Sequence, residues 1–221
     1  MLNKIKYKMI LAYVLIKLLT VLTSTASPVP TQTYPNKIVL VEPDKYILYW
    51  DFKESDILFE VHAQTKGWLG FGLSPNGNMI NSDVVITWID SNGNANFTDR
   101  NIKSKSEPPR IDLVQNWFLL SAMIKDGYTI SKFTRKIKLC DATGEDLNIE
   151  SGTPYVIFAW GESFANNDIS YHGTNNRGSK TVPLIARSNS KSVINMNEIE
   201  MVDFKVNVSR FFILIFFYIK L

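Results

Sequence analysis

The sequence predicts an all-β fold, an antiparallel β-sandwich of about eight or nine strands, and three observations predict it. Between residues 36 and 185 apolar side chains recur with a period of two rather than 3.6. Turn residues interrupt these runs about every ten positions, the rhythm of stacked antiparallel sheets. No ten-residue stretch in this span carries the apolar stripe of an amphipathic helix.

Residues 45–52 and 67–73 are dense in Tyr, Ile, Trp, Leu and Phe and read as buried strands. In residues 56–63, Ile57, Phe59, Val61 and Ala63 alternate with Leu58, Glu60 and His62, which predicts a strand with one buried face and places His62 at the surface. Residues 83–89 are nearly all β-branched or aromatic. They are followed by Asp90-Ser-Asn-Gly93, whose Asn-Gly tolerates positive φ, and then by residues 94–102, so the pair reads as a hairpin. A second hairpin joins residues 116–124 to 128–137 through Asp126-Gly127. Residues 153–160 supply a further strand, Pro-Tyr-Val-Ile-Phe-Ala-Trp in all but its first position. Trp50, Trp68, Trp88, Trp117 and Trp160 all fall on these strands and are expected to fill the core rather than to form a sugar-stacking platform.

The chain has 221 residues, 45% of them apolar, enough for one domain with a substantial core. Its formal charge of +3 does not describe a basic surface. Lys4, Lys6, Lys8 and Lys17 lie in an acid-free first 26 residues, and without them acids and bases balance to within one charge. Nucleic-acid binding thereby loses its electrostatic footprint. With two histidines and one cysteine, a Cys/His zinc cluster and an internal disulfide are both excluded.

The basic start, the apolar run from Met9 to Leu22 broken by Lys17, and Ser24-Thr-Ala26 together predict a signal peptide over residues 1–26. A secreted or granule-lumen glycoprotein is the expectation, with sequons at Asn96-Phe-Thr and Asn207-Val-Ser. Residues 188–210 are polar and without pattern. Phe211 to Ile219 form an apolar tail too short for an ordinary membrane span, which reads as a lipid-anchor signal, a membrane-touching tail or a segment outside any evolved fold. Residues 188–221 are therefore expected to be a poorly ordered linker and tail, and any membrane contact is expected through that tail alone.

Gly67-Trp-Leu-Gly-Phe-Gly-Leu-Ser-Pro-Asn-Gly-Asn-Met79, followed by Asn81-Ser-Asp-Val-Val-Ile-Thr-Trp88, resembles the signature of a DOMON domain, the immunoglobulin-like N-terminal sandwich of the dopamine β-hydroxylase family. The likeness continues in order through Lys132-Phe-Thr-Arg135, Leu139-Cys-Asp141, Val156-Ile-Phe-Ala-Trp160 and Tyr171-His-Gly173. It ends with Arg177-Gly-Ser-Lys-Thr-Val-Pro-Leu-Ile185, which resembles the monooxygenase-X branch. Residues 34–187 are the DOMON domain on this reading.

The resemblance implies a regulatory or dimerisation module whose partners are further copies or monooxygenase catalytic domains. In that family those domains hydroxylate phenethylamine side chains with two coppers, ascorbate and oxygen. His62 and His172 are too few imidazoles for two copper sites, so this chain alone is expected not to catalyse. It reads either as an isolated module or as a fragment of a copper-dependent amine hydroxylase of the dopamine or tyramine type. Cys140 matches a family cysteine whose partner lies far downstream, which implies a partner outside this chain; a buried free thiol is the other reading.

The resemblance also implies a calcium-like structural cation held by Asp83, the carbonyls of Val84 and Arg100, and Asn116, where the family has an aspartate. Other DOMON domains hold haem b between a methionine and a histidine, which would fall here on Met79 and His172. Arg100, Lys103, Lys105 and Arg110 form a loose basic run around Pro108-Pro109 that reads as a solvated loop or as a docking surface.

Overall fold

A computed structural model describes residues 27–152, 154–161, 164, 165 and 168–185, together with Lys6, Lys8, Met9 and Tyr13. The rest of residues 1–26, where a signal peptide is expected, the tail over 188–221 and Asn207 lie outside the described residues.

The strands are β1 (Asn36–Val41), β2 (Tyr46–Lys53), β3 (Asp56–Ala63), β4 (Leu69–Ser74), β5 (Asp83–Ile89), β6 (Ala95–Asn101), β7 (Arg110–Ile111), β8 (Trp117–Lys125), β9 (Tyr128–Lys136), β10 (Tyr155–Trp160), β11 (Phe164–Ala165), β12 (Asp168–Ile169) and β13 (Arg177–Thr181). Two antiparallel sheets pack face to face, one ordered β1-β2-β3-β9-β8 and the other β13-β10-β4-β5-β6-β7. The predicted sandwich is thus the observed fold. The strands beyond the expected eight or nine include the two-residue pieces β7, β11 and β12, too short to leave a period-two signal.

Both hairpins form where the turn chemistry places them. Asp126 and Gly127 take φ of 50° and 84°, the left-handed pair that a two-residue turn between twisted strands requires. In the β5–β6 turn, Asp90 Oδ1 accepts from the backbone N–H groups of Asn92 (2.9 Å) and Asn94 (2.8 Å), while Gly93 supplies a φ of 84°. Gly72 on β4 has a different role. A Cβ there would sit 2.2 Å from the carbonyl oxygen of Asp83, so its absence lets β4 and β5 close over the start of β5.

The core lies between the sheets, where Phe59, Phe71, Trp117 and Phe133 stack at centroid distances of 5.2 to 6.3 Å. Burying an aromatic of this size contributes roughly 1.5–3 kcal/mol, and the ring geometry adds to it. Trp50, Trp68 and Trp160 are buried as expected; Trp88 is half-buried.

His62 corrects the reading of β3. The alternation holds, with Ile57, Phe59, Val61 and Ala63 facing the core, yet His62 and Glu60 on the outward face are also fully buried. The cause is residues 27–34, which cross that face: Thr31 and Tyr34 both hydrogen-bond Glu60, and Ser27 bonds the His62 ring.

Candidate functional site

Two places on the sandwich concentrate chemistry. The first lies between the sheets at one end, where the start of β5, the end of β6, the start of β8 and the end of β9 converge. Register puts Asp83 opposite Asn101, and Trp117 opposite Arg135. Asp99 and Asn101 are two residues apart on β6, so both side chains point inward.

Arg135 is held here by all three of its nitrogens. Its Nη1 donates to Asp83 Oδ2 (2.7 Å), its Nη2 to the Leu147 carbonyl (2.6 Å) and its Nε to the Lys136 carbonyl (3.0 Å), while the guanidinium lies 4.5 Å above the Trp117 ring. Asp83 is equally occupied: Trp117 Nε1 donates to its Oδ1 (2.7 Å), and the Leu147 N–H adds a second bond to Oδ2 (2.9 Å).

Around this pair the carboxylates are less well served. Asp99 Oδ2 accepts from the N–H groups of Asn116 (2.7 Å) and Trp117 (3.3 Å), but its Oδ1 has no partner among the described residues. Asp146 Oδ2 accepts from Asn116 Nδ2 (2.6 Å), and its Oδ1 has none. Asp112 Oδ2 and Asn101 Oδ1 are likewise buried without a partner. Burial, with repulsion from Asp83, Asp112 and Asp146, pushes Asp99 up to about 8. Burial, with repulsion from Glu145, Asp83 and Asp146, pushes Asp112 up to about 7, and burial beside Asp83 raises Asp146.

The loop after β9 closes this end. The Asp141 carboxylate accepts from the N–H groups of Thr143 (2.7 Å), Glu145 (2.7 Å) and Asp146 (3.0 Å), bonds that hold it well below the usual carboxylate range and fix Glu145 and Asp146 over the cluster. Asp83, Asp99 and Asp146 bring one oxygen each within 4.8 Å of one another. Unpartnered buried oxygens beside carboxylates that resist ionisation are the features a hard cation would relieve, so the donor set fits one.

Of the residues implied by resemblance, Asp83 and Asn116 do reach this cluster. Val84 and Arg100 lie directly opposite each other in the β5–β6 ladder beside it. Asp99, Asp112 and Asp146 were not foreseen. Asp99 and Asp112 sit two residues from Asn101 or beyond a two-residue strand, in sequence with no spacing motif, so only the inward parity of β6 could have drawn attention to Asp99.

The second place is the outer face of the six-stranded sheet. There a cavity of about 740 Å³ is lined by Trp68, Met79, Val84, Ile86, Ile157 and His172, among others, with Lys105 and Arg177 also on its walls. Gly70 keeps part of the floor free of side chains. Met79 and His172, far apart in sequence, are thereby brought to one cavity, and the Lys105–Pro109 stretch of the basic run becomes part of its wall. His172 Nδ1 lies 2.6 Å from the Gly173 carbonyl, which can only accept, so Nδ1 carries the proton and Nε2 is the nitrogen with a lone pair. Burial, with Arg177 nearby, lowers the His172 pKa and favours the neutral ring.

Asn96 is half-buried on β6, and Cys140 is exposed with a free thiol.

Comparisons agree with this architecture. The DOMON domain family matches residues 42–161. The chain is 32% identical over 164 residues to DBH-like monooxygenase protein 1 of Homo sapiens, covering 74% of this chain and 26% of that protein. It is 32% identical over 118 residues to MOXD1 homolog 2 of Drosophila melanogaster, covering 53% of this chain and 15% of that protein. It thus spans about a quarter or less of the length of these relatives. Among solved structures, the cytochrome domain of Myriococcum thermophilum cellobiose dehydrogenase shares the fold with a TM-score of 0.53 at 14% identity, over 67% of this chain and 80% of that one. The match to residues 42–161, laid over the two sheets that carry both sites, shows that the chain belongs to the DOMON domain family.

Proposed function

We propose that this chain is a secreted, glycosylated DOMON module of the kind that DBH-like monooxygenases carry, without catalysis of its own, whose sandwich end is locked by a calcium-like cation at Asp83, Asp99, Asp146 and Asn116. The observation that carries this reading is the pair of buried, unpartnered oxygens, Asp99 Oδ1 and Asp146 Oδ1, within one three-carboxylate group. A divalent ion there would supply the missing positive charge and pin the loop over 141–147 to β5 and β6. The histidines support the non-catalytic part. His62 is buried on the outer face of the five-stranded sheet and His172 lines the cavity on the outer face of the other, so the two imidazoles cannot converge on one copper. Contacts with the catalytic domains of longer relatives fall to the β8 edge, where Phe118 and Leu120 are exposed and the strand has a free side.

Thermal unfolding with and without calcium tests the cation. At a concentration of about 100 Kd the ion adds roughly 2.7 kcal/mol, a rise of several degrees in Tm. Asp99→Asn combined with Asp146→Asn removes most of that rise. An unchanged wild-type Tm across calcium, magnesium and chelator would defeat the reading.

A second reading is favoured by a separate observation: Met79 and His172 line one largely apolar cavity. These residues would hold a b-type haem, which supplies one-electron chemistry when bound, with Lys105 and Arg177 available to its propionates. The cytochrome domain that shares this fold is consistent with that use. Purified protein reconstituted with haemin is expected to show a Soret band that shifts on dithionite reduction, and His172→Ala to lose it. A spectrum of unbound haemin alone removes this reading and leaves the first intact.

A further inference from the structure

We propose that a second hard divalent cation binds beside the first, at Asp112, Asn101 and Glu145. These three side chains are already tied together. The Asp112 N–H donates to the Asp99 carbonyl (3.0 Å), which fixes the residue after β7 against β6. Asn101 Nδ2 donates to Asp112 Oδ1 and lies 3.3 Å from Glu145 Oε1, and Glu145 Oε2 accepts from the Leu113 N–H (3.1 Å).

What this arrangement leaves over is specific. Asn101 is 3% exposed and Asp112 5% exposed, yet Asn101 Oδ1 and Asp112 Oδ2 have no partner among the described residues. The Asn101 oxygen matters most, because a neutral amide is not part of the charge crowding and its Nδ2 end is committed to two carboxylates. A buried amide oxygen left without a donor is destabilising, and protonating a nearby acid removes that acid's charge without a bond to this oxygen being guaranteed. One ion coordinated by Asn101 Oδ1, Asp112 Oδ2 and Glu145 satisfies both orphans at once.

The ion is distinct from the first. The three carboxylates that bring oxygens within 4.8 Å of one another are Asp83, Asp99 and Asp146; Asp112 and Glu145 fall outside that group. Its chemistry follows from the donors, which are all oxygens, two of them from carboxylates. Calcium accepts six to eight such ligands with flexible geometry and can take water for the remainder, whereas magnesium demands a near-ideal octahedron. Glu145 is half-buried, so the outer coordination positions open toward solvent and the site is the weaker of the two.

Calcium titration of the full chain by isothermal calorimetry, with circular dichroism to verify the fold of each variant, decides the matter. Wild type is expected to bind two ions. Asp112→Asn is expected to bind one, and Glu145→Gln, a milder change at a half-buried residue, to weaken the second ion at least about tenfold while leaving the first. Asp99→Asn is expected to weaken the first ion and spare the second. One ion per chain that Asp112→Asn and Glu145→Gln leave unchanged would overturn this proposal without touching the first site. One ion lost to both Asp99→Asn and Asp112→Asn would also overturn it, since a single ion would then be shared. No calcium binding at all overturns both.

Discussion

The buried polar cluster on the outer face of the five-stranded sheet and the one between the sheets differ in how completely their atoms are served. On the outer face of the five-stranded sheet, the Glu60 carboxylate accepts from the Thr31 N–H (2.8 Å), the Thr31 hydroxyl, the Tyr34 hydroxyl (2.8 Å) and His62 Nε2 (2.8 Å). His62 Nδ1 is in turn 3.1 Å from the Ser27 hydroxyl, so the chain of bonds ends without an orphan. Between the sheets, Asp99, Asn101, Asp112 and Asp146 each keep one buried oxygen with no partner among the described residues. Burial alone would raise both sets of carboxyl pKa values. For Glu60 the bonds from His62, Thr31 and Tyr34 outweigh burial and bring it down to about 2, whereas Asp99 goes up to about 8. The contrast teaches that burial is not what separates a finished network from an unfinished one; the supply of donors is.

The largest expected effect tests the one finished part of the inner cluster. Asp83→Ala leaves the Arg135 guanidinium buried without its carboxylate, and breaking a buried ion pair this way costs about 3–5 kcal/mol. Urea denaturation of the calcium-free protein measures it. Asp99→Asn in the same buffer is expected to be near neutral, because it removes charge from a crowded group while one side-chain oxygen can still accept from the Asn116 N–H. Equal damage from both substitutions would show that the inner cluster is an ordinary structural network, and the contrast would collapse.

A smaller effect is expected on the outer face. Glu60→Gln removes the charge that four bonds converge on, at a cost of about 2 kcal/mol. The folded pKa of about 2 lies below the ordinary glutamate value of 4.5. Glu60 therefore stabilises the fold above pH 4.5, and that contribution fades as pH falls toward 2. Wild type is expected to lose stability over this window by more than Glu60→Gln does, and parallel pH profiles would show that the carboxylate is not the latch.

How much of this was legible follows from what leaves a pattern. The sheets were, because Ile57, Phe59, Val61 and Ala63 alternate and Asp126-Gly127 can hardly be anything but a tight turn. Asp83, Asn116, Met79 and His172 were reached through the family's ordered motifs, not through spacing. The burial of His62 was hidden, since alternation reports which face a residue takes but not what else covers that face. Asp99, Asp112 and Asp146 were hidden for a related reason: acids on different loops and strands come to one end of the sandwich only through tertiary closure by the loop that Asp141 organises.

The smallest expected effect isolates a single bond of the finished network. In Tyr34→Phe the ring keeps its place against Tyr49, 5.9 Å away between centroids, and only the hydroxyl that donates to Glu60 Oε2 is lost. Glu60 Oε2 still accepts from the Thr31 hydroxyl, so no oxygen is orphaned and the cost is held to about 1 kcal/mol. Because the bond joins residues 27–34 to β3 and not the two sheets to each other, the change is expected to speed hydrogen exchange at the Thr31 N–H while leaving core amides of β4 and β5 at the wild-type rate scaled by that global loss. Exchange that quickens equally everywhere would mean that the N-terminal segment unfolds only with the whole sandwich, and that the outer network is part of the core it covers.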